Sequence, residues 1–517
     1  MDPYDEIPYE SLPFSDAHPV HLAALGRLFG LEAPDPEYCR VLELGCATGG
    51  NLIPLAWYHP GSHFVGIDRS GSHVASGEAL INRLGLSNIA LLQSDILRLN
   101  DDLGEFDYIF AHGVYSWVPE PVRERIMQLC AKHLSPTGIA YISYNTLPGW
   151  RMRGILRDVF LFHTRNASRP QEKVARIQTL LPQLEVALEK MDTDCGRYLK
   201  REIAYLRAAH PSYLYHEYLE DINTPFLFSH FMEGAHRHKL QYLCDVDLKT
   251  MFPSTLGEGA ENLVEAFDDL IEQEQYSDFI RNRYFRQSLL CHDDQAITHE
   301  IDLEVFKCFA FHSDLSPPKE VSLSDSAQTM FISPARVSFP ASHPLTKAAL
   351  IYLWQNYPDS LPFETVNRNA RESVIDQGGN PYANQTDQFI SELFNLYVHQ
   401  AIGASPRAQQ FFNQLTSRPT ATRLAQVQAY SKLGHLATAR HCVIQLDAFS
   451  TRLVTYLDGR LTGKELAERL TQDVMQGNLP LYADDKKLPA ADQVDTQITE
   501  NCERLLQLLA FNGVLEG

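Results

Sequence analysis

The residues most suited to chemistry begin between Val41 and Asn51, where Val41-Leu42-Glu43-Leu44 runs into Gly45-Cys46-Ala47-Thr48-Gly49-Gly50-Asn51. An apolar run ends on an acid, breaks into glycines and small side chains, and gives way to an apolar helical pattern. That reads as a buried parallel strand, a tight turn and a helix N-terminus. Glycines there let the backbone pass close to a bound molecule, where a Cβ would clash. The spacing is Glu-x-Gly-x-x-x-Gly, which differs from the Gly-x-Gly-x-x-Gly of dinucleotide sites. Asp68 follows 25 positions after Glu43, at the end of a second apolar run, His63 to Asp68. A carboxylate so placed accepts both hydroxyls of a ribose. A solvated helix-capping Asp is the competing reading, and the strand-then-acid context favours the ribose. Asp95 lies in Ser94-Asp95-Ile96 after a third run, Ile89 to Gln93, where the competing reading is a turn Asp. After a fourth run, Phe106 to Ala111, come His112, Tyr115 and Trp117: an imidazole, a phenol and an indole.

Helices are expected between these runs, from about Asn51 to Tyr58 and from Ser72 to Leu84. A fifth strand is expected over Ile139 to Tyr144, ahead of Asn145-Thr146-Leu147-Pro148-Gly149-Trp150. The sheet then pauses. Residues 151–220 read as helices, for example Gln171 to Met191 and Cys195 to Ala209. The sheet pattern resumes at Pro225-Phe226-Leu227-Phe228, with further strands over Leu240 to Val246 and Gln287 to Cys291 and a helix from Ser229 to Arg237. Helical insertions near 151–220 and 253–285 would build a lobe over the site. The organisation expected is an arm over 1–38 and a ligand-binding α/β domain over 39–295, with a helical insertion at about 151–220 and a further region at about 220–295. A linker with a hairpin (296–343) and two winged-helix-like modules (344–430 and 431–517) follow.

Composition bounds these readings. A chain of 517 residues exceeds one ordinary domain. No apolar run reaches the roughly 20 residues that span a bilayer, and the acidic start, Met1-Asp2-Pro3-Tyr4-Asp5-Glu6, lacks the regions of a signal peptide. No membrane insertion is expected. Nine cysteines are scattered singly with no Cys-x-x-Cys pair, which argues against zinc and against a disulfide framework, and for a reducing, cytoplasmic setting; no metal site is expected. The net charge of −21 disfavours phosphate-backbone binding. From residue 341 onward, Lys plus Arg number 15 against 18 for Asp plus Glu, so the winged-helix pattern lacks the basic cluster of a nucleic-acid face. These modules read as protein-interaction or dimerisation units, with a homodimer among the arrangements they allow.

The loop from Glu43 resembles motif I of class I S-adenosylmethionine-dependent methyltransferases, with Ala47 where the middle glycine usually stands. The match narrows over the arm Tyr4-Asp5-Glu6-Ile7-Pro8-Tyr9, the loop Leu44 to Asn51, Ala111-His112-Gly113-Val114-Tyr115-Ser116-Trp117-Val118-Pro119, and Tyr144 to Trp150. These stretches resemble bacterial methyltransferases carrying a methyltransferase regulatory domain, a group that includes rickettsial lysine methyltransferases acting on an outer-membrane protein. The resemblance covers most of residues 1–295 and, more loosely, the C-terminal part.

It implies a Rossmann-like α/β sheet with helical insertions, followed by winged-helix-like α+β C-terminal modules. It also implies S-adenosyl-L-methionine as cofactor and S-adenosyl-L-homocysteine as product. The cofactor contacts implied are Tyr4, Tyr9, Glu43, Gly45, Cys46, Ala47, Asn51, Asp68, Arg69, Ser94, Asp95, Ile96 and His112. Of these, the glycine loop would pack against the methionine part and Asp95 would receive the adenine amino group. The arm, with Tyr4, Tyr9 and His18, would fold over the cofactor, or its aromatics would merely anchor it to the core; both readings stand. The Asn/Asp-Pro-Pro-Tyr motif of many amide and adenine methyltransferases is absent. In its place His112, Tyr115 and Trp117 form the catalytic end. Aromatic faces there would hold a substrate stem and stabilise the sulfonium charge. His112 would supply a backbone contact or act as a base, with a satisfied core histidine as the alternative. The acceptor expected is an amine nitrogen such as that of protein lysine. A small metabolite or natural-product intermediate is the alternative acceptor, and a cofactor-binding regulatory or scaffold protein without turnover is the alternative class.

Overall fold

The computed structural model describes residues 6–7, 10–100, 102–380, 386–480 and 491–517. Tyr4 and Tyr9 lie outside the described residues. Seven strands form one sheet: β1 (Arg40–Leu44), β2 (His63–Asp68), β3 (Ile89–Gln93), β4 (Phe106–Ala111), β5 (Leu134–Asn145), β6 (Leu240–Asp245) and β7 (Phe285–His292). Their spatial order is β3-β2-β1-β4-β5-β7-β6. β1 to β5 run parallel, and β7 runs antiparallel to both β5 and β6. Strand order reverses between β1 and β4, and that crevice, at the carboxyl ends, is where such sheets bind ligands. The central strands are buried on both faces, which is why they read as continuous apolar runs with no alternation. No strand forms at Pro225–Phe228. Phe226 makes one isolated bridge to Thr146, and a helix takes over from Phe228.

Helices α1 (Pro19–Leu28), α2 (Leu52–Tyr58), α3 (Gly71–Leu84) and α4 (Glu120–His133) pack on the sheet. α5 (Gly149–Thr164), α6 (Pro170–Leu188), α7 (Asp194–Ala208) and α8 (Pro211–Tyr218) form a lobe with its own core, including Phe160, Ile177, Ile203 and Tyr218. α9 (Phe228–Arg237), α10 (Glu258–Val264) and α11 (Leu270–Arg281) surround β6 and β7. Arg286 on β7 is fully buried. It pairs with Glu274 at 2.7 Å and Asp278 at 2.8 Å on α11, and with Asp245 at 3.5 Å. A charge so deep is tolerated only when its donors are matched in this way.

Two helical modules follow, each closed by a short sheet. In the first, α12 (Pro344–Gln355), β11 (Leu361–Pro362), α13 (Phe363–Asp376), α14 (Thr386–Val398) and β12 (Gly403–Ser405) close around β8 (Ala310–His312). In the second, the helices are α16 (Ala448–Tyr456), α17 (Gly463–Met475) and α18 (Ala491–Phe511), and β16 (Leu515–Glu516) pairs with β13 (Thr420–Ala421). The first of these sheets has three strands and the second two, and in each one strand, β8 or β13, comes from ahead of the helices. Ahead of the first module lies the hairpin β9 (Thr329–Ile332) and β10 (Ser338–Ala341). The second module also carries α15 (Arg423–Tyr430) and the hairpin β14 (His435–Ala437) and β15 (Val443–Gln445). It docks on the sheet domain: Arg423 donates to the Arg83 carbonyl at 2.7 Å, and Arg83 donates to Ser431 Oγ at 2.9 Å. Among the described residues, no helix is long and apolar enough to cross a membrane.

Candidate active site

β1 delivers Glu43 to the crevice, buried at 4% exposure. Its Oε1 accepts from Asn51 Nδ2 at 3.0 Å, while the buried Oε2 has no hydrogen-bond partner. Burial raises its carboxyl to about 8, against the opposing pull of the Asn51 hydrogen bond. A buried acid with one unmatched oxygen is a receptor for a cationic or N–H-bearing ligand. Asn51 stands at the start of α2 but does not cap it; its side chain serves Glu43 instead.

The loop between them turns three times through the left-handed region, at Gly45 (φ +80°), Ala47 (φ +48°) and Gly49 (φ +76°). Ala47 adopts this conformation with a Cβ, and its N–H donates to Asp68 Oδ2 at 2.8 Å, which pins it. A Cβ on Gly50 would lie 2.1 Å from the Ser11 carbonyl oxygen, so the N-terminal arm rests directly on the loop. Gly50 N–H donates to Ser11 Oγ at 2.9 Å. The Cys46 thiol is buried and held well above its ordinary pKa by desolvation, so it stays protonated and unreactive.

Asp68 ends β2, and its Oδ1 accepts from Ser70 N at 2.8 Å. Each carboxylate oxygen retains a second lone pair. Asp95 begins the turn after β3, where its Oδ1 accepts from Leu97 N at 2.9 Å. Ser94 N bonds the Asp68 carbonyl at 2.9 Å, which joins the ends of β2 and β3. Arg69 is exposed and Ile96 half-buried.

At the end of β4, Phe14 from the arm packs against His112 with the rings tilted by 43° and their centroids 4.0 Å apart. His112 Nδ1 lies 2.7 Å from Tyr141 Oη. Gln287 Nε2 donates to that same hydroxyl at 2.9 Å; the buried phenol proton finds an acceptor when it is directed at Nδ1, the arrangement in which His112 carries its own proton on Nε2. Burial pushes the imidazole down to about 4. A ring nitrogen already occupied and so weakly basic does not suit a general base. Tyr115 departs from the expected position at the acceptor channel. It is 5% exposed and packs among Tyr144, Phe226 and Phe231, a core aromatic whose hydroxyl burial raises to about 12. The short turn Tyr115–Trp117 faces its residues in different directions, and Trp117 stays half-buried, edge-on to Trp150 at 6.1 Å.

Sequence reasoning missed Ser11, Tyr141, Gln287 and His441. Tyr141 and Gln287 read as strand residues, and nothing local marks a histidine 390 positions from Asn51 as its partner. Between the arm and the helical lobe lies a cavity of about 360 Å³ lined by Glu10, Leu12, Phe14, Tyr205, His210 and Tyr213, among others.

Three family models match: a methyltransferase domain over residues 41–138, a "predicted methyltransferase regulatory domain" over 210–292, and a "PKMT, C-terminal winged helix domain" over 417–514. An uncharacterised protein of Rickettsia prowazekii, RP789, is 33% identical over 521 residues, covering 99% of this chain and 94% of the relative. PKMT2 from Rickettsia typhi superposes with a TM-score of 0.84 at 27% identity, over 98% of this chain and all of that one. Its complex with S-adenosylhomocysteine superposes with a TM-score of 0.86 at 27% identity, over 99% of this chain. Glu43, Asp68 and Asp95 present carboxylate oxygens, which accept hydrogen bonds, beside the glycine loop where β1, β2 and β3 end, and such acceptors fit a ligand that carries an ammonium group, ribose hydroxyls and an adenine amine. The chain therefore belongs to the class I S-adenosylmethionine-dependent methyltransferases that carry a regulatory domain and a C-terminal winged helix, and it is an enzyme of that chemistry.

Proposed function

We propose that the methyl acceptor is the amine of a protein lysine side chain. The observation that carries this is the likeness to PKMT2 along nearly the whole chain, regulatory and winged-helix parts included. When bound, S-adenosylmethionine supplies an electrophilic methyl group on a sulfonium. Glu43 and the Gly45-Cys46-Ala47 turn, with Asn51 behind them, would hold its amino-acid end. Asp68, with Arg69 beside it, would hold the ribose hydroxyls, and Ser94, Asp95 and Ile96 the adenine. His112, neutral and fixed by Tyr141, would wall the methyl-bearing end together with Phe14.

In-line displacement needs alignment and a deprotonated amine more than a dedicated acid. The cavity reaching Phe14 has the aromatic walls of Tyr205 and Tyr213 and the carboxylate of Glu10, which suit a straight apolar stem with a cationic head. Desolvation along such a passage favours loss of the lysine proton. The acidic balance of the C-terminal modules supports a protein-contacting role for them over nucleic-acid binding. The test is incubation of the full chain with methyl-labelled cofactor and bacterial lysate, then acid hydrolysis and mass spectrometry. Label in methyl-lysine supports the reading; protease-resistant small-molecule label overturns it.

A further inference from the structure

The C-terminal module reaches the glycine loop through one side chain. The β14–β15 hairpin turns at Thr438–Cys442, and His441 stands in that turn, 2% exposed, with φ +58° in the left-handed region. A non-glycine residue keeps that conformation only where its surroundings hold it. They do: Thr438 Oγ1 accepts from Cys442 N at 3.0 Å, and Arg440 donates to Ser360 Oγ and Gln409 Oε1, each at 2.6 Å. His441 Nε2 then lies 2.7 Å from Asn51 Oδ1.

The polarity of this contact is fixed. Phe14 N–H also points to Asn51 Oδ1, at 3.2 Å, and a backbone N–H only donates. That atom is therefore the carbonyl oxygen, and Nδ2 is the atom facing Glu43 Oε1 at 3.0 Å. His441 must donate, with its proton on Nε2. A flipped Asn51 would set its N–H group against the Phe14 N–H. Burial, reinforced by His59, holds the His441 imidazole down at about 3, so this neutral donor persists throughout the working pH range.

We propose that His441 is a positioning residue of the cofactor site: its Nε2–H locks the Asn51 amide, which holds Glu43 with its second oxygen turned toward the α-ammonium of S-adenosylmethionine. The winged-helix module is thereby part of the binding machinery of the sheet domain. This rests on Glu43 being a cofactor contact, as proposed above.

The test is calorimetric titration of S-adenosylmethionine into the full chain and its His441→Gly, His441→Gln, Asn51→Ala, Glu43→Gln and His441→Gly/Asn51→Ala variants, with thermal melts alongside. Glycine relieves the left-handed backbone while removing the donor, so weaker binding in His441→Gly reports the hydrogen bond and not strain. Its affinity should fall about five- to tenfold, the loss for one hydrogen bond. His441→Gln, which keeps an N–H donor, should recover part of it. The double variant should bind no worse than Asn51→Ala alone, because the effect passes through that amide. Wild-type affinity in His441→Gly alongside a weakened Asn51→Ala overturns the assignment of His441 and leaves the Glu43 reading standing. So do additive losses in the double variant, or a lower melting temperature with unchanged affinity. Unchanged affinity in both Asn51→Ala and Glu43→Gln overturns the Glu43 reading, and this proposal with it.

Discussion

Tyr141 Oη lies 2.7 Å from His112 Nδ1, and Gln287 Nε2 donates to the same hydroxyl at 2.9 Å. Burial holds the imidazole down at about 4, so it has no charge to lose across the neutral range. We expect Tyr141→Phe to leave a buried ring nitrogen unpaired and to destabilise the fold by about 1–3 kcal/mol in urea unfolding. The pH–rate profile of the wild type should carry no inflection near the ordinary histidine value of about 6.5. An inflection there that His112→Asn abolishes would restore the role of base to this residue.

Glu43 sets a second pH dependence. Burial raises its carboxyl from an ordinary 4.5 to about 8 in the folded chain. Between these values the folded protein keeps a proton that the unfolded chain has released. The group's contribution to stability is full below about 4.5 and is lost as pH rises through about 8. Denaturant midpoints of the cofactor-free protein should thus fall relative to Glu43→Gln between about pH 5 and about pH 8. Parallel midpoints for the two proteins would place the Glu43 titration below this window.

Tyr115 and Trp117 lie on the same turn and should behave oppositely. Tyr115→Ala removes a packed core ring and is expected to cost about 3–5 kcal/mol of stability. Trp117→Ala should leave the fold and the S-adenosylmethionine Kd nearly intact while lowering kcat/KM for the acceptor, because it removes acceptor positioning. Normal turnover in a folded Trp117→Ala, or loss of the cofactor as well, would take Trp117 out of the acceptor channel.

Asp68 holds the loop through Ala47 N–H and also faces the proposed ribose position. Asp68→Ala should weaken cofactor binding by about 1.5–3 kcal/mol, the loss for hydrogen bonds to a charged acceptor. Asp68→Asn keeps an acceptor for the Ala47 N–H and should lose less. Calorimetry giving equal affinities for wild type and Asp68→Ala would remove the residue from the site.

The sheet was legible because β1 and β4 are buried on both faces and read as continuous apolar runs, and because β1 to β4 each close near a marked residue: Glu43, Asp68, Asp95 and His112. The period-2 ambiguity that troubles half-exposed strands does not arise there. Phe226 misled because an apolar tripeptide after a proline looks the same whether it opens a strand or leads into a helix, and one bridge to Thr146 is all it forms. Tyr115 misled because position after β4 says nothing about which way a short turn aims its side chains. His441 was out of reach altogether. Its partner is fixed by the docking of a module some 390 residues along the chain, and local pattern holds no trace of that.

The strand arrangement of the two C-terminal modules has a consequence for taking the protein apart. Each short sheet depends on a strand recruited from ahead of the module's first helix, Ala310–His312 in one and Thr420–Ala421 in the other. A fragment cut at Pro344 or at Ala448 would expose Gly403–Ser405 or Leu515–Glu516 as a bare edge, open to pairing with any neighbour. Soluble pieces should therefore begin upstream of residue 310 or of residue 420, and pieces begun at the helices should precipitate as intermolecular sheet.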